Sequence, residues 1–321
     1  MSIVSIYEPI QQTMVQVEAR LEEFSRDGLP WMAESLKYVL GGGGKRIRAA
    51  LTLLAGEFYN KNPEQLISMA TAIELFHNAT LVHDDAVDNS LMRRGKPTVN
   101  SLWGSSIAVL LGDYLFSSSA DLICRIGNLR VMRLFAQTLM KISSGQLRET
   151  FSAYNWRQNR QDYYEQIGSK TASLFTAAAE AGAILSEAPE EAVEALKTYS
   201  HNLGMAFQIV DDILDFTGDE EEMGKPVGSD LFEGTLTLPA ILLVENHPRN
   251  NPVKELFEKR GDRAEVQRVI EMVRNSPIVP ECYRIVAEFS AQARRALEGL
   301  PDNASRRCLL DMADSAIARR K

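Results

Sequence analysis

Two segments of this chain repeat one arrangement of acidic side chains. Leu81-Val-His-Asp-Asp-Ala-Val-Asp88 and Gln208-Ile-Val-Asp-Asp-Ile-Leu-Asp215 each set two adjacent aspartates before a third, three residues on. On a helix Asp84 and Asp88 share a face, and Asp85 sits about 100° around; Asp211, Asp212 and Asp215 reproduce the pattern. Like charges at this spacing repel, and each cluster closes an apolar helix at the negative end of its dipole. Breaking local rules twice in the same way points to function. A hard divalent cation would compensate both clusters. Carboxylate oxygens suit magnesium, whose shell is commonly completed by water and substrate phosphates. One acidic pair alone reads as a solvated helix end. Two matching clusters in apolar sequence favour two faces of one metal–diphosphate site across a cavity.

An acidic protein that binds phosphates must concentrate positive charge locally, and this one does. Gly41-Gly-Gly-Gly-Lys45-Arg46-Ile-Arg48 is a glycine-rich loop running into an apolar helix. Such a loop allows close backbone approach, and the helix start offers unpaired N–H groups to a phosphate. Lys45 and Arg48, three apart, share a face. It is not a Walker loop, because the glycine spacing differs and no strand precedes it. Met92-Arg93-Arg94-Gly95-Lys96-Pro97 follows the first aspartate cluster, and Gly224-Lys225-Pro226-Val227-Gly228 follows the second. Arginine forks and lysine charges are usual ligands of diphosphate oxygens. Either loop alone is an ordinary charged turn; their parallel placement makes phosphate binding the better reading.

The elements that must position these groups are helical. Strand signals are nearly absent. Periodicity predicts helices near 7–25, 31–39, 45–60, 63–88, 98–120, 128–158, 161–183, 189–216, 235–246, 252–274 and 278–319, the last two broken. Pro63 behind Asn62 marks a first-turn proline after a capping residue. The stretches 203–214 and 107–115, apolar on most sides, are expected in the middle of a bundle, with Trp103 and Tyr114 in the core. No low-complexity linker divides the chain. The expectation is one all-α domain over 1–321, a single large helical bundle around a central cavity.

Composition narrows the function. The 321 residues are 45% hydrophobic and 24% charged, ordinary for a globular protein, and the net charge of -8 argues against general nucleic-acid binding. Cys124, Cys282 and Cys308 have no paired spacing, which fits reduced thiols in a cytoplasmic protein rather than a disulfide framework or zinc site. The N-terminal segment lacks the pattern of a signal peptide. No uncharged apolar run reaches the roughly 18 residues of a membrane span.

From about residue 30 onward the chain resembles the trans-type isoprenyl diphosphate synthases, also called polyprenyl synthetases. The stretch 81–98 looks like that family's first aspartate-rich motif with its downstream arginines, and 203–215 like the second. Gly43-Gly-Lys-Arg-Ile-Arg48 is similar to its isopentenyl-binding loop, and Lys170-Thr171 to its mid-chain lysine–threonine. Together, in the family's order, these motifs are specific where each alone is not. The resemblance implies that Lys45, Arg48, His77 and Arg94 hold isopentenyl diphosphate. It implies that Asp84, Asp88 and Asp211 carry magnesium, with Asp85, Asp212 and Asp215 in support, partly through water. Arg93, Lys170, Lys225 and Gln208 would hold the allylic diphosphate, while Thr171 and Gln208 turn oxygen dipoles toward a carbocation. It also implies a homodimer. Two positions depart from the pattern: Ala49 stands where the loop usually has proline, and Thr235 where many relatives carry lysine. Without the resemblance, His77 reads as a satisfied core histidine.

The implied reaction is ionisation, condensation and elimination. Diphosphate leaves only if its developing charge is neutralised. The double bond of isopentenyl diphosphate then attacks the allylic cation. No side chain stands out as a base, so the released diphosphate is expected to take the proton. Apolar helices keep out water that would quench the cation. One turn below Asp84, the small Thr80 and Ala79 leave room for a growing tail, so a medium or long product beyond farnesyl is expected. Phe76, two turns down, is either a floor that stops the chain at geranylgeranyl or slightly beyond, or a core phenylalanine. A terpene cyclase would usually lack the isopentenyl loop and a second complete cluster. A non-catalytic subunit of a heteromeric synthase commonly has degraded motifs. A calcium-binding module would hold its oxygens in a turn with a central glycine.

Overall fold

The computed structural model describes residues 7–26, 30–42, 44–219, 226–260 and 263–318. After a 3-10 turn (Glu8–Ile10) come α1 (Gln11–Phe24), α2 (Pro30–Leu40), α3 (Ile47–Gly56) and α4 (Pro63–Val87). A small hairpin, β1 (Met92–Arg93) and β2 (Lys96–Pro97), leads to α5 (Val99–Trp103), α6 (Ser105–Ile126) and α7 (Leu129–Ser152). Next are α8 (Arg160–Ile167), a π-helical turn (Gly168–Ala172), α9 (Ser173–Leu185) and α10 (Glu190–Thr217). The chain ends with α11 (Ser229–Phe232), α12 (Leu238–Asn246), α13 (Pro252–Glu258), α14 (Arg263–Arg274), α15 (Ile278–Ala296) and α16 (Ala304–Ala318).

Local chemistry sets these boundaries. Asn62 caps α4 by accepting the Gln65 N–H, with Pro63 in the first turn where its missing donor costs nothing. Asn159 and Asp162 form a reciprocal capping box on α8. The predicted helix 98–120 divides at Gly104, and 252–274 and 278–319 break as expected. The predicted helix 235–246 begins later, at Leu238. The hairpin has no counterpart among the sequence expectations. It pairs Met92 with Pro97 and Arg93 with Lys96 around Arg94 (φ 51°) and Gly95 (φ 72°), the two positive φ values that a tight two-residue hairpin turn requires.

The chain forms two compact units. The first comprises the residues up to Gln137, Leu174–Ser200 and Ala296–Met312; the second comprises Thr138–Ser173, His201–Arg295 and the residues from Ala313. In the first unit α4 is central and packs against α6, α3 and α1. Phe76 of α4 is fully buried, its ring edge-on to Phe116 (4.8 Å) and Phe135 (5.1 Å). A Cβ on Gly182 of α9 would lie 2.1 Å from the Thr52 carbonyl oxygen, so only glycine permits that approach to α3. In the second unit Met205, Ile209, Ile213 and Phe216 of α10 share a core with α12, α14 and α15.

The 203–214 stretch is buried on most sides, as expected, with Phe207, Gln208 and Asp211 less covered. The 107–115 stretch is not. Ala108, Leu111, Gly112 and Leu115 form the buried stripe of α6, but Ile107, Val109 and Leu110 are 37%, 45% and 64% exposed. One stripe at helical spacing suffices to pack α4, and nothing else in the described chain covers the opposite apolar face. Trp103 and Tyr114 are half-buried rather than core, resting against Tyr38 and Phe24. By length and composition α6 is the one described helix able to cross a membrane; it carries Asp113, Asp121 and Arg125.

Candidate active site

In the first unit, the acidic cluster ends α4. Asp85 is buried and accepts from Arg93 Nε at 2.7 Å. Burial raises its pKa, and the Arg93 charge opposes that rise. Asp84 is half-buried and Asp88 exposed. The Asp88 N–H donates to the Asp84 carbonyl and the Ser90 N–H to that of Asp85, so the chain turns at once into the hairpin. The Thr98 hydroxyl donates to the Ser90 carbonyl and closes the loop that carries Arg93 and Arg94.

The glycine-rich loop lies in the same unit. Lys45 is exposed, whereas Arg48 is half-buried, its guanidinium 4.6 Å from the Phe175 ring centroid and its Nη1 3.1 Å from His77 Nε2. Burial, followed by the Arg48 and Arg94 charges, holds the His77 pKa well below the usual imidazole range. His77 is therefore neutral near pH 7, and its Nε2 accepts from Arg48. A Cβ on Gly44 would lie 3.4 Å from Arg94 Nη1, so the hairpin abuts this loop. Of the three tail-facing candidates, Thr80 is half-buried and donates to the His77 carbonyl, whereas Ala79 and Phe76 are fully buried.

In the second unit, the π-helical turn presents Lys170 and Thr171. Such turns reset the direction of side chains within a helical run and recur at functional sites. Lys170 Nζ donates to Glu149 Oε1 on α7 at 2.8 Å. The Thr171 hydroxyl donates to Gln208 Oε1 (2.7 Å), Gln208 Nε2 donates to Asp212 Oδ1 (2.8 Å), and the Tyr163 hydroxyl donates to Asp212 Oδ2 (2.5 Å). Burial drives the Asp212 pKa well above the usual carboxylate range, and the Asp230 and Asp211 charges add to the rise. Asp215, with no exposed surface, accepts from the Ser229 hydroxyl (2.8 Å) and the Asp230 N–H (3.3 Å), anchoring the start of α11. Asp211 is half-buried. Lys225 lies outside the described residues. Thr235 is half-buried, its N–H donating to the Asp230 carbonyl.

Each triad thus divides. Asp84, Asp88 and Asp211 are at least partly open, while Asp85, Asp212 and Asp215 face inward onto protein donors. Among the described residues no three acidic, histidine or cysteine side chains converge into a cage. Oxygen donors in small groups suit magnesium, which is typically bound by one or two carboxylates plus water and substrate phosphates. The donor set fits such a cation held jointly with a diphosphate. Sequence reasoning missed Glu149 and Tyr163. They stand 21 and 49 residues from their partners, and no periodicity links groups that far apart.

Comparison with known proteins identifies the family. The family described as Polyprenyl synthetase matches residues 29–273. Heptaprenyl diphosphate synthase component 2 of Geobacillus stearothermophilus is 35% identical over 313 residues, 98% of each chain. Octaprenyl diphosphate synthase of Escherichia coli is 32% identical over 321 residues, 99% of each. The crystal structure of polyprenyl synthase from Caulobacter crescentus, complexed with calcium and isoprenyl diphosphate, has a TM-score of 0.94 at 31% identity, covering 100% of this chain and 98% of that one. The all-α architecture is that of these enzymes. Matches of this identity, running nearly end to end, mean that the chain belongs to the polyprenyl synthetase family of prenyltransferases.

Proposed function

We propose that the protein is a trans-polyprenyl diphosphate synthase that condenses isopentenyl diphosphate with an allylic diphosphate, giving an all-trans product longer than farnesyl, of medium or long chain. The observation that carries this reading is the grouping of Arg48, His77 and Arg94 around the glycine-rich loop, beside an acidic helix end. Relatives named for heptaprenyl and octaprenyl products match over nearly their whole length.

Lys45, Arg48, His77 and Arg94 bind isopentenyl diphosphate. Neutral His77 accepts one Arg48 nitrogen and the Phe175 ring supports the guanidinium face, which fixes the arginine fork for a phosphate. Arg93, Lys170, Lys225 and Gln208 receive the allylic diphosphate; Lys170 exchanges the Glu149 carboxylate for phosphate oxygens. Asp84, Asp88 and Asp211 would hold magnesium, with Asp85, Asp212 and Asp215 fixing their surroundings through Arg93, Tyr163, Gln208 and Ser229. Magnesium, when bound, neutralises charge developing on the departing diphosphate. Thr171 commits its proton to Gln208 and keeps its oxygen lone pairs for the allylic cation. The isopentenyl double bond forms the new C–C bond, and the released diphosphate accepts the proton that is lost. Diphosphate release that requires both substrates, with mass spectrometry of the products, tests the reading. Release from the allylic substrate alone would mean a cyclase, and no release would mean a non-catalytic subunit.

We also propose one catalytic domain built from both units, since the family match runs through their interleaved segments. The uncovered apolar faces of α6 and α7, with Leu110, Leu129 and Met140 exposed, support a homodimer. Light scattering on the purified chain would show twice the monomer mass, and a monomer awaiting a second component would contradict it. A cytoplasmic location is proposed from the unpaired cysteine spacing; recovery with the membrane fraction would overturn it.

A further inference from the structure

We propose that Arg46 and Glu74 are positioning residues for the isopentenyl diphosphate site, a buried ion pair that pins residues 44–48 so that Lys45 and Arg48 meet the ligand. This rests on the ligand roles given above for Lys45 and Arg48. Arg46 stands between those two residues, yet its side chain is only 9% exposed. Its guanidinium reaches three helices. Nε donates to Glu18 Oε1 on α1 (2.8 Å), Nη2 to the Leu40 carbonyl ending α2 (2.9 Å), and Nη1 to Glu74 Oε2 on α4 (3.2 Å). The other Glu74 oxygen accepts the Ala49 N–H at 3.1 Å. One buried carboxylate therefore holds both the arginine and the first turn of α3, whose N–H groups have no partner within the helix. Burying charges is costly unless they are paired and hydrogen-bonded, and this pair is both.

The backbone reflects the same constraint. Arg46 is left-handed (φ 45°, ψ 38°), a conformation that non-glycine residues keep only where surrounding contacts over-determine it. The Tyr7 hydroxyl adds a latch, donating to the Lys45 carbonyl at 2.7 Å. With Arg46 drawn inward, Lys45 is left exposed and Arg48 runs to His77 and Phe175.

Steady-state kinetics on the full-length protein, varying each substrate separately and with thermal melts alongside, tests this. Glu74→Gln keeps an acceptor for Ala49 and removes the charge that holds Arg46. The expected result is a rise of about tenfold in KM for isopentenyl diphosphate, the scale of one charge-assisted hydrogen bond, with kcat and the allylic KM within about twofold. Glu18→Gln cuts only the solvent-exposed contact, and a rise of about two- to threefold is expected. A purely structural role would lower Tm and kcat together and leave both KM values in place, and that result overturns the proposal. If Glu74→Gln fails to fold, Glu18→Gln and Arg46→Lys decide by the same split. Arg48→Ala separates the two levels. An unchanged isopentenyl KM there refutes the ligand role of the loop; a raised one, with unchanged values in the pin variants, refutes only the pin.

Discussion

Replacing Thr80 with phenylalanine should stop elongation early. Thr80 lies four residues before Asp84 on the partly exposed ridge of α4, about 6 Å away along the axis, and Phe76 lies about 12 Å away. A five-carbon unit adds four carbon–carbon bonds near 1.5 Å, so it advances an extended tail by about 5 Å. A diphosphate that Asp84 would hold through magnesium would start the tail roughly 4 Å beyond the carboxylate. Three units, about 15 Å long, then end close to the level of Phe76. Seven units, about 35 Å, nearly match the 25 residues of α4, which span about 38 Å. A ring at position 80 stands where the second or third unit must pass. Forcing a tail past it costs about 1–3 kcal/mol, as overpacking does, or about 5- to 150-fold in the rate of each later addition. Chromatography and mass spectrometry of dephosphorylated products should show farnesyl and geranylgeranyl in place of longer chains. Ala79→Phe is the control. Ala79 has no exposed surface, so that variant should lower Tm by overpacking rather than set a new length. A folded Thr80→Phe enzyme with the parental product distribution would refute the assignment of this face to the tail.

Asp84→Ala should lower kcat/KM by about 10²–10³-fold, the scale of losing one group that stabilises developing charge, with a raised magnesium requirement; an undiminished magnesium-dependent rate contradicts the assignment. His77 gives a pH dependence. Its folded-state pKa is depressed below the ordinary imidazole value of 6.5, so below pH 6.5 the unfolded chain binds a proton that the folded chain refuses. Stability should therefore be level above pH 6.5 and fall as pH drops below it, by at most about 1.4 kcal/mol per pH unit. Urea melts from pH 7 to 5 should show a shallower decline for His77→Gln, and superimposable profiles would exclude the idea. Leu110→Asp, placing a charge on the apolar face of α6, should halve the mass seen by light scattering; an unchanged dimer would put the interface elsewhere.

Much of this protein is legible in one dimension because the relevant spacings are local. The i, i+4 relation of Asp84 and Asp88, the capped start of α4 at Asn62, and the glycine-rich run before Arg48 are written within a few residues each. Helical periodicity likewise gave the all-α class and both late breaks. What stayed hidden is every choice of direction. Sequence presents three equivalent aspartates per cluster. The fold turns Asp85, Asp212 and Asp215 inward, because Arg93, Tyr163 and Ser229 arrive there from other elements. Arg46 and Lys45 are adjacent cations, and only packing sends one to Glu74 and leaves the other exposed. The 107–115 stretch of α6 is apolar on most sides, so composition implied burial; the single stripe that α4 accepts left Val109 and Leu110 uncovered. Spacing along a chain fixes which side chains share a helix face. Which face is buried depends on partners tens of residues away, and those meet only in the folded molecule.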